Sequence, residues 1–153
     1  MAKINNVKGR QVFDSRGNPT VEAEIFSDNN SVSSIVPSGA STGSYEAFEL
    51  RDKENKNYLG KSVFKAVDNI NGPIAKALEN IDSTEQSKID KILINLDGTE
   101  QKKKLGANAI LAVSMASCKL AAIDKKTSLY RYLGNSKNSQ LPVPLLNIIN
   151  GGV

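Results

Sequence analysis

The chain contains no histidine, no tryptophan and a single cysteine, Cys118. Without histidine, the Ser-His and Cys-His nucleophile-base pairs and every imidazole metal site are excluded from these 153 residues. One cysteine forbids an intramolecular disulfide. Its place in the apolar run 110–123 reads as an inert buried thiol rather than a nucleophile. Aromatic side chains make up only 5% of the sequence, so the core must be built from Ile, Val, Leu and Ala. Aromatics interleaved with basic residues, on which bases could stack, are also missing. The one dense basic run, Lys102-Lys103-Lys104, reads as solvated surface, and nucleic acid is disfavoured as a partner. No segment reads as long and apolar enough to cross a bilayer, and Met1-Ala2-Lys3-Ile4 opens no signal peptide. No membrane association is expected, and the expected location is the cytoplasm.

What is present suits an ordinary globular domain. The apolar fraction is 39% and the charged fraction 24%, with 20 basic residues interleaved among 16 acidic ones. A chain of this length folds around one core that buries about two-thirds of its unfolded surface.

Three strands come first. Residues 4–13 contain one, and Asp14-Ser15-Arg16-Gly17-Asn18-Pro19 is dense in turn formers. In Thr20-Val21-Glu22-Ala23-Glu24-Ile25-Phe26, Val21, Ala23 and Ile25 alternate with Glu22 and Glu24, the period of a half-buried strand. A turn at Ser27-Asp28-Asn29-Asn30 leads to a third strand ending at Val36, which predicts an antiparallel meander. The period then changes. Val63, Val67, Ile70, Ile74, Leu78 and Ile81 form a helical stripe interrupted by Gly72-Pro73, predicting a kink or two helices with Pro73 in the first turn of the second. Ser83 with Gln86 resembles a capping box opening a helix that Asp97-Gly98 ends. Residues 105–123 read as an Ala-rich helix surrounded by protein, and a short helix at 128–133 stops at Gly134. Strands followed by helices make an α+β domain.

The tail differs. Residues 135–140 are polar and linker-like, whereas 141–149 read as an apolar strand with proline at its entry. Such a strand wants neighbours on both edges, as in a parallel sheet or barrel, and Asn150-Gly151-Gly152-Val153 resembles the loop at its end. The expected organisation is therefore an α+β domain over 1–134, followed by a linker and the first strand of a truncated α/β barrel over 135–153.

Between strands and helices lies Pro37-Ser38-Gly39-Ala40-Ser41-Thr42-Gly43. A run of small residues lets backbone N–H groups and hydroxyls approach a ligand closely. Composition leaves two readings open, a binding loop and a flexible turn. A Walker-type phosphate loop is excluded, because no Lys-Ser/Thr pair follows Gly43.

Taken together in chain order, Asp14-Ser15-Arg16-Gly17-Asn18-Pro19-Thr20-Val21-Glu22, the small-residue loop, Leu50-Arg51-Asp52, Leu96-Asp97-Gly98-Thr99, Leu105-Gly106-Ala107-Asn108-Ala109-Ile110-Leu111 and Asn147-Ile148-Ile149-Asn150-Gly151-Gly152 closely resemble the enolase family. The resemblance spans the chain and is bacterial-like; it departs at Phe48 and Ser33, where other side chains are commoner. It implies the N-terminal capping domain of a lyase, phosphopyruvate hydratase. Such an enzyme reversibly dehydrates 2-phosphoglycerate to phosphoenolpyruvate in glycolysis with two Mg²⁺ ions. It further implies that the lysine base, the assisting glutamate and the first-metal carboxylates lie beyond Val153, so no catalytic residue is expected in this chain. Gly39, Ala40, Ser41, Thr42 and Gly43 match the family's mobile substrate lid, and Ser41 matches the serine that ligates the second Mg²⁺. Arg10 and Glu22 match positions that pair with the partner subunit in enolase dimers; exposed strand charges of little energetic weight are the competing reading. Asn150 and Gly151 match the loop leading to the family's catalytic histidine, while Asp14 and Arg16 read as fixing the first turn and the interdomain contact. The implied partners are the chain's own barrel domain, a second subunit and the substrate pair; members of the family are also found at the cell surface. The fragment is expected to be inactive alone and to bind no Mg²⁺. A stand-alone interaction module without catalysis is the alternative.

Overall fold

The computed structural model describes residues 3–39, 43–54, 56–134, 141–146 and 148. Strands β1 (Asn6–Phe13), β2 (Pro19–Phe26) and β3 (Ser31–Val36) form one sheet in the order β1-β2-β3. Both pairings are antiparallel. Asn6 lies opposite Phe26 and Phe13 opposite Pro19, while Val21 faces Val36 and Phe26 faces Ser31. The expected meander is formed, with β2 at its centre. Val21, Ala23 and Ile25 are fully buried, as the period-two pattern requires.

Helices cover the buried face of this sheet. The first, α1 (Phe64–Asn69), starts where Asp52 accepts hydrogen bonds from the N–H groups of Phe64 (2.7 Å) and Lys65 (3.1 Å). This nearly buried carboxylate satisfies the helix's free donors and opposes its positive end. The predicted break at Gly72-Pro73 does not separate two helices. A π-helical turn, Ile70–Ile74, carries the chain from α1 into α2 (Ala75–Leu78), with Pro73 inside it. The widened turn accommodates a residue that has no N–H and whose ring would crowd an α-helical carbonyl. Ile70 and Ile74 both stay fully buried against the sheet.

The expected capping box at Ser83 is not formed. Helix α3 spans Gln86–Asp97 without a side-chain cap. Ser83 is fully buried and donates instead to Asp124 Oδ2 at 3.2 Å, and Gln86 bonds to Asp90 and Ser114. A long-range partner has taken the hydroxyl that the local pattern assigned to the helix end. Gly98, left-handed at φ 70°, ends α3 as expected.

Helix α4 (Ala107–Asp124) lies across β2 and β3 and against α3. At 18 residues it does meet the length and apolar composition of a membrane span, which corrects the sequence reading. Its apolarity has another cause: Ala109, Ala112, Val113, Ala116, Leu120 and Ala121 are fully buried between sheet and helices. Cys118 is half-buried rather than buried as expected, and burial together with the Asp90 carboxylate raises its pKa, which disfavours the thiolate. Helix α5 (Leu129–Leu133) ends before Gly134. The described residues of the predicted terminal strand, 141–146 and 148, form no strand and are exposed.

Candidate functional site

The small-residue loop leaves β3 at one end of the sheet, beside the N-terminus of α4. Its stem is described through Gly39 and its far side from Gly43; Ala40, Ser41 and Thr42 lie outside the described residues. Beyond Gly43 the chain turns, Glu46 N–H donating to the Gly43 carbonyl at 3.2 Å.

Three adjoining cavities meet at Ser38 and Gly39. One of about 380 Å³ also touches Gly43, Glu46, Glu49 and Arg51. A second, of about 200 Å³, opens toward Asp14, Arg16, Asn18 and Lys61. The third, of about 230 Å³, reaches Ala107, Asn108 and Leu111 on α4. A larger cavity, about 530 Å³, lies away from the loop around Ser27, Asn30 and Asp124. There Asp124 accepts bonds from Ser27, Asn30 and Ser83, so that carboxylate is already occupied.

The walls of the loop region combine one local turn with contacts between segments distant in sequence. Asp14 closes the β1–β2 turn, its carboxylate accepting from the N–H groups of Arg16 (2.9 Å) and Asn18 (2.8 Å). The bond from Asn18 is the main cause that holds the Asp14 carboxyl below its ordinary pKa. Asp14 therefore fixes the turn, as expected. Arg51 reaches across to the carbonyls of Pro19 (3.1 Å) and Lys61 (2.6 Å), and its other nitrogen meets Glu49 Oε1 at 2.7 Å. The second oxygen of Glu49 accepts from the Ser38 hydroxyl at 2.8 Å. On the α4 side, Asn108 pairs with the backbone of Leu50 in both directions, accepting from its N–H at 3.2 Å and donating to its carbonyl at 3.0 Å. Gly106, at φ 93°, makes room for this pairing, because a Cβ there would stand 2.6 Å from Leu50 Cβ.

Arg10 and Glu22 are brought together within the chain. They are direct partners across β1 and β2, with Arg10 Nε 2.5 Å from Glu22 Oε2, and the same guanidinium also contacts Glu24. Sequence reasoning missed this clamp and the Ser38–Glu49–Arg51 chain. The alternation of Glu22 and Glu24 on one face pointed to the former. The latter joins residues on separate segments, and nothing in the sequence spacing indicated it. Among the described residues no group of three or more His, Cys, Asp or Glu side chains gathers to hold a metal.

A three-stranded antiparallel meander backed by helices, with the stem of the small-residue loop at the sheet's end, defines an α+β domain. Residues 4–133 match the model of the family described as "Enolase, N-terminal domain", and the chain belongs to that family. It is 60% identical over 152 residues to the enolase of Pelagibacter ubique and 55% identical over 153 residues to that of Bdellovibrio bacteriovorus. In both cases 99% of this chain is covered but 36% of the relative, so the chain spans about a third of the length of the enolases it matches.

Proposed function

We propose that this chain is the loop-bearing N-terminal portion of an enolase that, at the full length of its relatives, reversibly dehydrates 2-phosphoglycerate to phosphoenolpyruvate in the cytoplasm. Membership of the enolase N-terminal family over residues 4–133 carries the reading. The position of the loop stem, Ser38 and Gly39, beyond the end of β3 and lining three adjoining cavities, supports it.

In this reading the two Mg²⁺ ions of the intact enzyme supply positive charge against the ene-diolate formed when a proton leaves carbon next to a carboxylate. On the same reading the chain's own contribution to the second Mg²⁺ is Ser41, through its hydroxyl and backbone carbonyl, carried on the lid formed by Gly39, Ala40, Ser41, Thr42 and Gly43. Small residues suit a lid because they let backbone pack against substrate and exclude water. The base, the acid and the carboxylate ligands belong to the barrel that follows, to which residues 141–149 contribute the first strand. The exposure of Leu141, Val143, Leu145, Leu146 and Ile148 supports a covering partner for that segment. Arg10 and Glu22, already paired with each other, form part of the contact with a second subunit.

The test uses the full-length enzyme carrying this segment, with turnover followed as phosphoenolpyruvate absorbance. Ser41→Ala is expected to lower activity and shift its Mg²⁺ dependence while leaving the thermal midpoint unchanged. Unaltered activity and Mg²⁺ dependence would remove Ser41 from the proposal. The 153-residue chain alone is expected to give no turnover.

A further inference from the structure

We infer that Glu49 is a positioning residue for the stem of the small-residue loop, residues 37–39, joining it to the rigid frame of the domain. The inference rests on the reading of that loop as the substrate-facing element. Its geometry stands on the described residues alone.

Arg51 supplies the fixed point. Its guanidinium bonds to two backbone carbonyls from different segments, Pro19 at the start of β2 and Lys61 beside α1. Its side chain is only 16% exposed, so these bonds hold it in one orientation. A guanidinium is a planar fork of donors, and the remaining arm meets Glu49 Oε1 at 2.7 Å. Glu49 then divides its carboxylate: one oxygen for Arg51, the other for the Ser38 hydroxyl at 2.8 Å. Ser38 immediately precedes Gly39, the last described residue of the stem. The direction of the stem where it leaves β3 is thus set by a chain of contacts from frame to Arg51, to Glu49, to Ser38. Only a side chain with two acceptors can serve both neighbours as this one does. The alternative bond of Ser38, to the Gly39 carbonyl at 3.3 Å, is longer and holds nothing outside the loop.

The consequence is specific. Removing either Ser38's hydroxyl or Glu49's carboxylate frees the stem without touching the core, and removing both frees it no further. The first measurement is the backbone amide order parameter by NMR relaxation on this chain in the wild type, Ser38→Ala, Glu49→Ala and the double variant. The order parameters at 38 and 39 are expected to fall from about 0.85 toward about 0.6 in each single variant, with the double variant no lower, because the two side chains act through one bond. Ser38→Thr, which keeps the hydroxyl, is expected to restore them. The amides of β2 serve as the internal control and stay unchanged. Unaltered order at 38 and 39, or additive effects in the double variant, would overturn the inference. The second measurement is the kinetics of full-length Glu49→Ala. A raised KM with Ser38→Thr near wild type supports the positioning role in turnover. Altered order with unaltered kinetics would keep the Ser38–Glu49–Arg51 linkage and defeat the substrate-facing reading of the loop.

Discussion

Replacing Gly106 with alanine tests whether the joint between the loop region and α4 is as tight as its geometry implies. Gly106 precedes α4 at φ 93°, a conformation that costs an L-residue about 1–2 kcal/mol. The added Cβ would stand 2.6 Å from both Leu50 Cβ and Asn108 Oδ1. Neither neighbour can yield freely, since Leu50 and Asn108 are tied to each other by the two bonds at 3.2 and 3.0 Å. Relieving the contact costs about 1–3 kcal/mol as overpacking or as loss of those bonds. The expected total is about 3 kcal/mol, a large share of a typical stability of about 5–15 kcal/mol. For a chain of this size that lowers the thermal midpoint by about 6–12 °C. Urea unfolding followed by circular dichroism at about 222 nm measures it, with the denaturant slope checked for constancy. A loss below about 1 kcal/mol for Gly106→Ala would refute the reasoning, because strain and contact would then both be relieved by movement the structure does not provide for.

Other perturbations probe different links. Burial acts to raise the pKa of Asp97, but bonds from the Leu105 N–H (2.7 Å), Thr99 and Lys104 outweigh it and hold the group below its ordinary value of 3.8. Its contribution to stability is therefore complete above about pH 4 and is lost as pH falls through the lower folded value. Asp97→Asn should destabilise at neutral pH and flatten the acid limb of the unfolding profile below about pH 4; an unchanged acid limb would dissociate Asp97 from acid sensitivity. Leu93→Ala, at a fully buried position of α3, should cost about 2–5 kcal/mol in the same urea assay, and a cost below about 1 kcal/mol would show that the helices reclose over the cavity.

Elements whose signal is periodic were legible in the sequence. Alternation at Val21, Ala23 and Ile25 placed β2 and its buried face, and the three-and-four spacing from Val63 to Leu78 placed the helical stripe. The places where reading failed share one cause. Ser83 carries a local capping signal, yet its hydroxyl goes to Asp124, 41 residues away in sequence. Pro73 carries a local breaking signal, yet burial of Ile70 and Ile74 keeps the helix continuous through a widened turn. Helix α4 carries the composition of a membrane span, and only its position between sheet and helices explains that composition.

By itself, then, the sequence determined the order and type of the main elements from β1 to α5, the likeness to enolases and the small-residue loop, because turn chemistry and hydrophobic period act over a few neighbouring residues. Only the tertiary structure decided which polar groups meet. The joining of Ser38 to Arg51 through Glu49, the pairing of Arg10 with Glu22 and Glu24, and the fit of Gly106 against Leu50 all depend on how separate segments are brought together by packing. Side-chain bonds of that kind are short-ranged in space and unconstrained in sequence separation, so they come into being with the packed core and leave no local pattern to read.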